Sequence, residues 1–248
     1  IGQLNLDGPS GIVLHPGRET PFIVGDEGDI GELQRDGTLV KQKRVRDADF
    51  EGITCDPSTG LLYIAVEGEE RIIEIDTEDF SVLREFAINR VFRGKMILKP
   101  GGQGIEAITF VPDSRHPEGG TFYVTNQGFH LGDKEDPSAI LELGVSLSSG
   151  CDGDNVATIV RCFSLGVIDL SGLRYDEMSD HLYVVSDAMN AIFEITREGR
   201  IIQSYVLPGD NQEGIAVDTR GFLYIAQDSG ASSRLNGTEG DSGLRLSG

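Results

Sequence analysis

The sequence predicts an all-β chain built from one four-stranded unit that repeats and closes into a ring. Three features carry that expectation. A hairpin signature recurs five times, the apolar residues alternate with a period of two, and 33 glycines with frequent turn clusters interrupt the 248 residues too often for long helices. A β-sandwich is the competing fold.

The signature is clearest at Glu51-Gly52-Ile53-Thr54-Cys55-Asp56, a turn over Pro57–Gly60, and Leu62-Tyr63-Ile64-Ala65-Val66-Glu67. Short β-branched and apolar runs on either side of a Pro/Ser/Thr/Gly cluster read as a hairpin. Residue 59 is equidistant from Glu51 and Glu67, so these two carboxylates are expected side by side at one end of it. The other copies run from Ser10-Gly11-Ile12 to Phe22–Asp26, from Glu106-Ala107-Ile108 to Phe122–Gln127, from Ser171-Gly172-Leu173 to Leu182–Asp187, and from Glu213-Gly214-Ile215 to Leu223–Asp228. The two polar residues that bracket each copy stand 16, 16, 21, 16 and 15 residues apart.

A third strand follows each hairpin, at Ile30–Leu33, Ile73–Ile75, Leu141–Leu143, Phe193–Ile195 and Leu244–Leu246, with the alternation of a half-buried strand. Fourth strands are expected at Val40–Val45, Val82–Ile88, Ile159–Phe163 and Ile202–Leu207. The fifth repeat has none, but Ile1–Leu6 offers a spare strand at the other terminus. A ring of four-stranded antiparallel blades, its last blade closed by the N-terminal strand, is a five-bladed β-propeller, an architecture that protects sheet edges by closure. The expectation is one domain over 1–248. Two insertions interrupt the repeat, a longer one in the third copy (Phe129–Pro137 and Val145–Asn155) and a shorter one at Val91–Gly104. Long loops on a rigid scaffold serve recognition or are tolerated surface.

Radial closure gathers the bracketing residues at one channel mouth. One ring comprises Ser10, Glu51, Glu106, Ser171 and Glu213; the other comprises Asp26, Glu67, Gln127, Asp187 and Asp228. Seven of these ten are carboxylates, and like charges so close repel and raise one another's pKa. A hard cation offsets that repulsion, and Ca²⁺ accepts six to eight oxygen ligands. The expected ligands are Glu51, Glu106, Glu213, Asp187, Asp228, Glu67 and Asp26. The alternative is a structural belt in which the carboxylates accept hydrogen bonds from neighbouring blades. Zinc is disfavoured because His15, His116, His130 and His181 fall in turns or loops, and no Cys/His spacing fits it. Asp152–Asn155 and Asp133–Asp136 read as solvated turns. No nucleophile elbow or phosphate loop is present, so no catalytic residue is assigned.

With 41 acidic against 21 basic residues, the net charge of −20 argues against nucleic acid and anionic membranes as partners. No apolar run spans a bilayer, so membrane insertion is not expected. The chain opens on Ile1, which leaves room for a removed leader or anchor. Cys55 stands where other repeats carry Leu14, Phe110, Tyr175 and Val217, the pattern of a buried thiol. Cys151 and Cys162 are close enough in sequence to bridge, which would suit an oxidising compartment, or to remain thiols. Asn236-Gly237-Thr238 matches a glycosylation acceptor, too short a pattern to carry weight.

Asp49-Phe50-Glu51-Gly52-Ile53, Asp169-Leu170-Ser171-Gly172-Leu173-Arg174-Tyr175-Asp176 and Asn211-Gln212-Glu213-Gly214-Ile215-Ala216-Val217-Asp218, each followed by Leu-Tyr-Ile or Leu-Tyr-Val, resemble the SdiA-regulated family of β-propellers. The Glu-Gly-Ile element is shared with phytase-like and NHL-type propellers. The resemblance implies an exported or membrane-anchored propeller that binds calcium and has no established enzymatic activity. By motif position it carries over Glu51, Glu106, Glu213, Asp187 and Asp228. Ser10, Ser171 and Gln127 depart from a uniform ring and point to an off-centre ion.

The function expected is thus an extracytoplasmic (periplasmic, secreted or anchored) calcium-binding propeller that engages a protein or small-molecule partner without catalysis. A calcium-dependent hydrolase of phosphate esters or lactones is the alternative, and it requires cationic residues beside the acidic mouth, for which Lys95 and Arg93 are candidates. A glycosidase ranks below it, because the chain has no Trp and only 7% aromatic residues for sugar stacking.

Overall fold

The computed structural model describes residues 8–148, 155–218 and 220–227, and the backbone of 231–235. Every regular element among them is a strand or turn. The strands form consecutive antiparallel meanders: β1 (Pro9–Leu14), β2 (Pro21–Gly25), β3 (Asp29–Leu33) and β4 (Leu39–Arg44); then β5 (Phe50–Cys55), β6 (Leu62–Val66), β7 (Arg71–Ile75) and β8 (Val82–Ile88). A small hairpin, β9 (Val91–Phe92) and β10 (Lys95–Met96), precedes β11 (Ile105–Pro112), β12 (Gly120–Asn126), β13 (Ala139–Gly144) and β14 (Val156–Phe163). The chain continues through β15 (Gly172–Asp176), β16 (His181–Ser186), β17 (Ala191–Thr196) and β18 (Ile201–Val206) to β19 (Gln212–Val217), β20 (Leu223–Gln227) and β21 (Ala231–Leu235).

The first strand of each meander packs on the first strand of the next, and β19 packs back on β1. Apolar clusters fill the space between successive sheets. Phe22 and Val24 meet Phe50 and Ile64, Tyr63 and Phe86 meet Phe122 and Leu141, and Tyr123 and Ile140 meet Val184 and Phe193. Tyr183 and Val185 then meet Ile215 and Ile225, and Ala216, Tyr224 and Ala226 meet Ile12. Burying one such side chain contributes about 1.5–3 kcal/mol, so sheet-to-sheet packing holds the ring together.

Glycine permits the close approach of the inner strands. A Cβ on Gly52 would stand 2.6 Å from the Ile108 amide, and one on Gly214 would stand 2.8 Å from that of Ile12. This explains why Gly follows the polar residue in the repeated signature.

Two features differ from the sequence expectation. The outer strands β8 and β14 pair in parallel through Val156↔Ala87 and Ala157↔Ile88, which joins two expected blades into one eight-stranded sheet. The strand that pairs with β20 on the side away from β19 in the last sheet is Ala231–Leu235, not Leu244–Leu246, with Gln227 facing Ala231 and Leu223 facing Leu235. That sheet has three strands among the described residues. Ile1–Leu6, Leu244–Leu246, Cys151 and Asn236–Thr238 lie outside the described residues. Cys162 is a free thiol. Cys55 is buried as expected, and burial pushes its thiol up to about 12.

Candidate metal centre

Four of the five first-ring residues sit where the inner strands bulge. The register slips between Pro9 and Gly11, Phe50 and Gly52, Ile105 and Ile108, and Gln212 and Ile215, that is, across Ser10, Glu51, Glu106 and Glu213. A bulge re-aims a side chain at a sheet rim. It also moves Glu67 from the position expected opposite Glu51: Val66 faces Phe50, and the Glu67 amide instead donates to the Asp49 carbonyl at 3.0 Å. The same bond recurs from Asp26 to Gly8 (3.1 Å), from Gln127 to Gly104 (3.1 Å) and from Asp187 to Asp169 (3.3 Å). Each of these four second-ring backbones is thereby anchored on the entry residue of its own sheet.

Their side chains reach toward the entry of the following sheet. Gln127 Nε2 donates to Asp169 Oδ1 at 3.0 Å, and Asp187 Oδ1 accepts the Gln212 amide at 2.9 Å. Glu67 lies over Gly104, where a Cβ would fall 2.3 Å from its Cγ. The two serines also act as clamps: Ser10 Oγ donates to the Phe50 carbonyl, and Ser171 Oγ to the Gln212 carbonyl at 2.6 Å. Asp169, 6% exposed, additionally accepts the Ala188 amide at 2.9 Å. From Gln127 round to Gln212 the mouth is therefore a hydrogen-bonded belt.

The opposite side is an acid cluster. Carboxylate oxygens of Asp26, Asp49 and Glu51 all lie within 4.8 Å of one another. Asp49 acts on both Glu51 and Glu67, while its Oδ1 is buried without a partner among the described residues. Glu106 is 5% exposed. Burial first, then the charges of Glu106, Asp49 and Asp26, pushes the Glu51 carboxyl up to about 12. Burial with Asp49 and Asp26 brings Glu67 to about 7, and burial with Glu67 and Glu213 holds Glu106 well above the ordinary carboxylate range. Burial also raises Asp169.

The donor set fits a hard cation. With bonds of roughly 2.3–2.6 Å, two ligands on opposite sides of Ca²⁺ stand about 5 Å apart, the span of the Asp26, Asp49 and Glu51 oxygens. The unpartnered Asp49 Oδ1 and the buried Glu106 are what such an ion would satisfy. Of the seven expected ligands, Asp26, Glu51, Glu67 and Glu106 gather on this side, and Glu213 acts on Glu106 from beyond it. Asp187 belongs to the belt, because a backbone amide occupies its Oδ1. Asp228 lies outside the described residues.

Asp49 was absent from the expected set although it stands two residues before Glu51, and Asp169 holds the same place before Ser171. An Asp two residues ahead of the signature is the signal that was available. Asp136 is the other addition. Asp133, Lys134 and Glu135 are exposed as a solvated turn requires, but Asp136 is 8% exposed and accepts the Gln103 amide at 2.8 Å and Asn126 Nδ2 at 3.2 Å. Those bonds tie the two insertions together beside Glu67. Lys99, Gln103, Phe129, His130 and Asp136 line a cavity of about 230 Å³ there. Lys99 and His130 thus occupy the place proposed for Lys95 and Arg93; Lys95 is exposed in β10, and Arg93 stacks 5.0 Å from the Phe92 ring.

A family model described as SdiA-regulated matches residues 5–230. Among solved structures, the chain is similar to Myxococcus xanthus glutaminyl cyclase at 14% identity and a TM-score of 0.56, over 89% of this chain and 85% of that one. It is similar to XC5397 of Xanthomonas campestris, described as a gluconolactonase, at 16% identity and a TM-score of 0.54, over 90% of this chain and 70% of that one. It also matches the Dos1 propeller at 11% identity and a TM-score of 0.49 over 88% of its own length, and spans 53% of that structure. The likeness is one of fold, all-β and of the propeller type.

Proposed function

The chain belongs to the SdiA-regulated family, and from that premise we propose that it is an extracytoplasmic, non-catalytic propeller that binds Ca²⁺ off-centre at its acidic mouth and engages a partner through the loops around it. The proposal includes five blades in one domain over 1–248, with Ile1–Leu6 completing the last blade. The observation that carries the cation reading is the approach of Asp26, Asp49 and Glu51 oxygens to within 4.8 Å, with a buried oxygen of Asp49 left unpartnered. Asp49 and Glu51 would hold the ion with Asp26, and Glu67 and Glu106 would complete the negative field around it. The ion supplies charge compensation; the chain supplies the rigid rim.

Thermal melting tests this. A ligand confined to the native state stabilises by RT ln(1 + [L]/Kd), about 2.7 kcal/mol at a hundredfold excess over Kd. For a chain of this size that raises Tm by roughly 5–10 °C between chelator and saturating Ca²⁺. Equal Tm values across millimolar chelator and calcium would defeat the reading.

One observation favours a second reading, a calcium-dependent hydrolase of lactones or phosphate esters. The cavity holding Lys99 and His130 opens beside Asp136, and Asp136 acts on Glu67. Cationic groups next to a bound ion could hold an anionic substrate. Calcium-stimulated turnover of a lactone or phosphate ester, lost in Lys99→Met, would establish it over the non-catalytic reading.

A further inference from the structure

The end of the ring away from the acids encloses a second and larger cavity, of about 560 Å³, a volume typical of small-molecule sites. It is formed where the inner strands finish. Ser171 at the acidic mouth and Asp176 at this one are five residues apart along one chain segment, roughly 16 Å in an extended strand. Its walls are largely apolar, with Val13, Leu14, Phe110, Leu173, Ile215 and Val217 drawn from four of the inner strands.

Its charged groups differ in how well they are satisfied. Asp218 is 4% exposed and accepts from the Arg220 and Phe222 amides, from Arg220 Nε and Nη2 at 3.1 and 2.9 Å, and from the Tyr224 hydroxyl. Asp176 Oδ2 accepts from the Ser179 amide and hydroxyl at 3.0 and 2.7 Å, and Glu177 is exposed to water. Among the described residues Arg174 has only one long contact, Nη1 to Asp176 Oδ1 at 3.5 Å, although its side chain is only 24% exposed. Burial lowers its pKa and Asp176 opposes that shift. Arg220 is paired with Asp218, so Arg174 is the lining cation with donors to spare, in a planar fork suited to a carboxylate.

We propose that this cavity binds a small amphipathic acid, its apolar body against the Val13, Leu14 and Phe110 wall and its carboxylate on the Arg174 guanidinium. The site stands apart from the acidic mouth and does not depend on the cation reading.

Titration calorimetry of the full chain with octanoate and with octanamide, which match in body and differ in charge, tests it. Octanoate is expected to bind about tenfold or more tightly than the amide, the scale of one charge-assisted contact. Arg174→Gln is expected to bring the two within about threefold, and Val217→Trp, which fills the cavity and leaves its charges alone, to weaken both. Equal binding of acid and amide to the wild type, no binding of either at millimolar concentration, or a preference for octanoate that survives Arg174→Gln would each overturn the proposal. The acid-against-amide comparison and Val217→Trp decide the matter even where Arg174→Gln does not fold.

Discussion

The charge of Asp49 raises both Glu51 and Glu67, so it couples the repulsion across the acid cluster. Replacing it with Asn removes one charge and one ligand together. Asp49→Asn is expected to weaken Ca²⁺ binding by tenfold or more while leaving the calcium-free Tm unchanged or higher; a calorimetric titration alongside a melt checks both. The titration of Glu67 gives a second prediction. Its folded-state pKa is raised to about 7, so the native state holds a proton that the unfolded chain has already released. Stability linked to that proton is fully present below the ordinary carboxylate range and is lost as pH rises through about 7. The calcium-free protein should therefore melt at a lower temperature at pH 8 than at pH 5.5, and Glu67→Gln should flatten that slope. At this scale the sequence showed which residue types bracket each hairpin, but not which acids would meet. Asp187 and Glu67 occupy the same signature position, yet Asp187 accepts the Gln212 amide while Glu67 lies among Asp49, Asp26 and Asp136, and that distinction depends on where a neighbouring backbone N–H points.

The inner strands were legible because two constraints act on the same short segment. Ser or Glu stands at the head of each inner strand, and in four of the five copies Gly follows it where the next strand's backbone lies within van der Waals reach, Ala107 being the exception. Gly52→Ala should force the Ile108 backbone away and destabilise the fold by about 1–3 kcal/mol, the usual range for overpacking, measured by chemical denaturation. Ser171→Ala should cost a similar amount, about 1–3 kcal/mol, by leaving the buried Gln212 carbonyl without its donor. Neither should alter the stoichiometry of calcium binding. The bulge itself was not legible as a register shift: symmetry about the Pro57–Gly60 turn placed Glu67 opposite Glu51, and one extra residue in β5 moved it off the ladder. The pairing of β8 with β14 was equally hidden, since two outer strands from different repeats meet over only two residues each.

For the molecule as a whole, ring closure decides whether residues from distant repeats share a mouth. The described strands already return to their start through Ile12 and Ala216, and the proposed closure adds Ile1–Leu6 to the last sheet. Deleting residues 1–6 should then lower Tm by several degrees and speed proteolysis of the C-terminal segment; an unchanged melt would place that segment outside the ring. The charge of −20 was the other global signal, and the gathering of Asp26, Asp49 and Glu51 on one side of the mouth is why an offset ion fits better than a symmetric one. Calorimetric titration of the chelated protein with Ca²⁺ at pH 7, repeated in two buffers of different ionisation enthalpy, tests the central claim most directly. The account predicts one ion per chain and a net release of protons as the acid cluster gives up those it holds. No saturable heat, or binding that releases no proton and persists in Asp49→Asn, would contradict it.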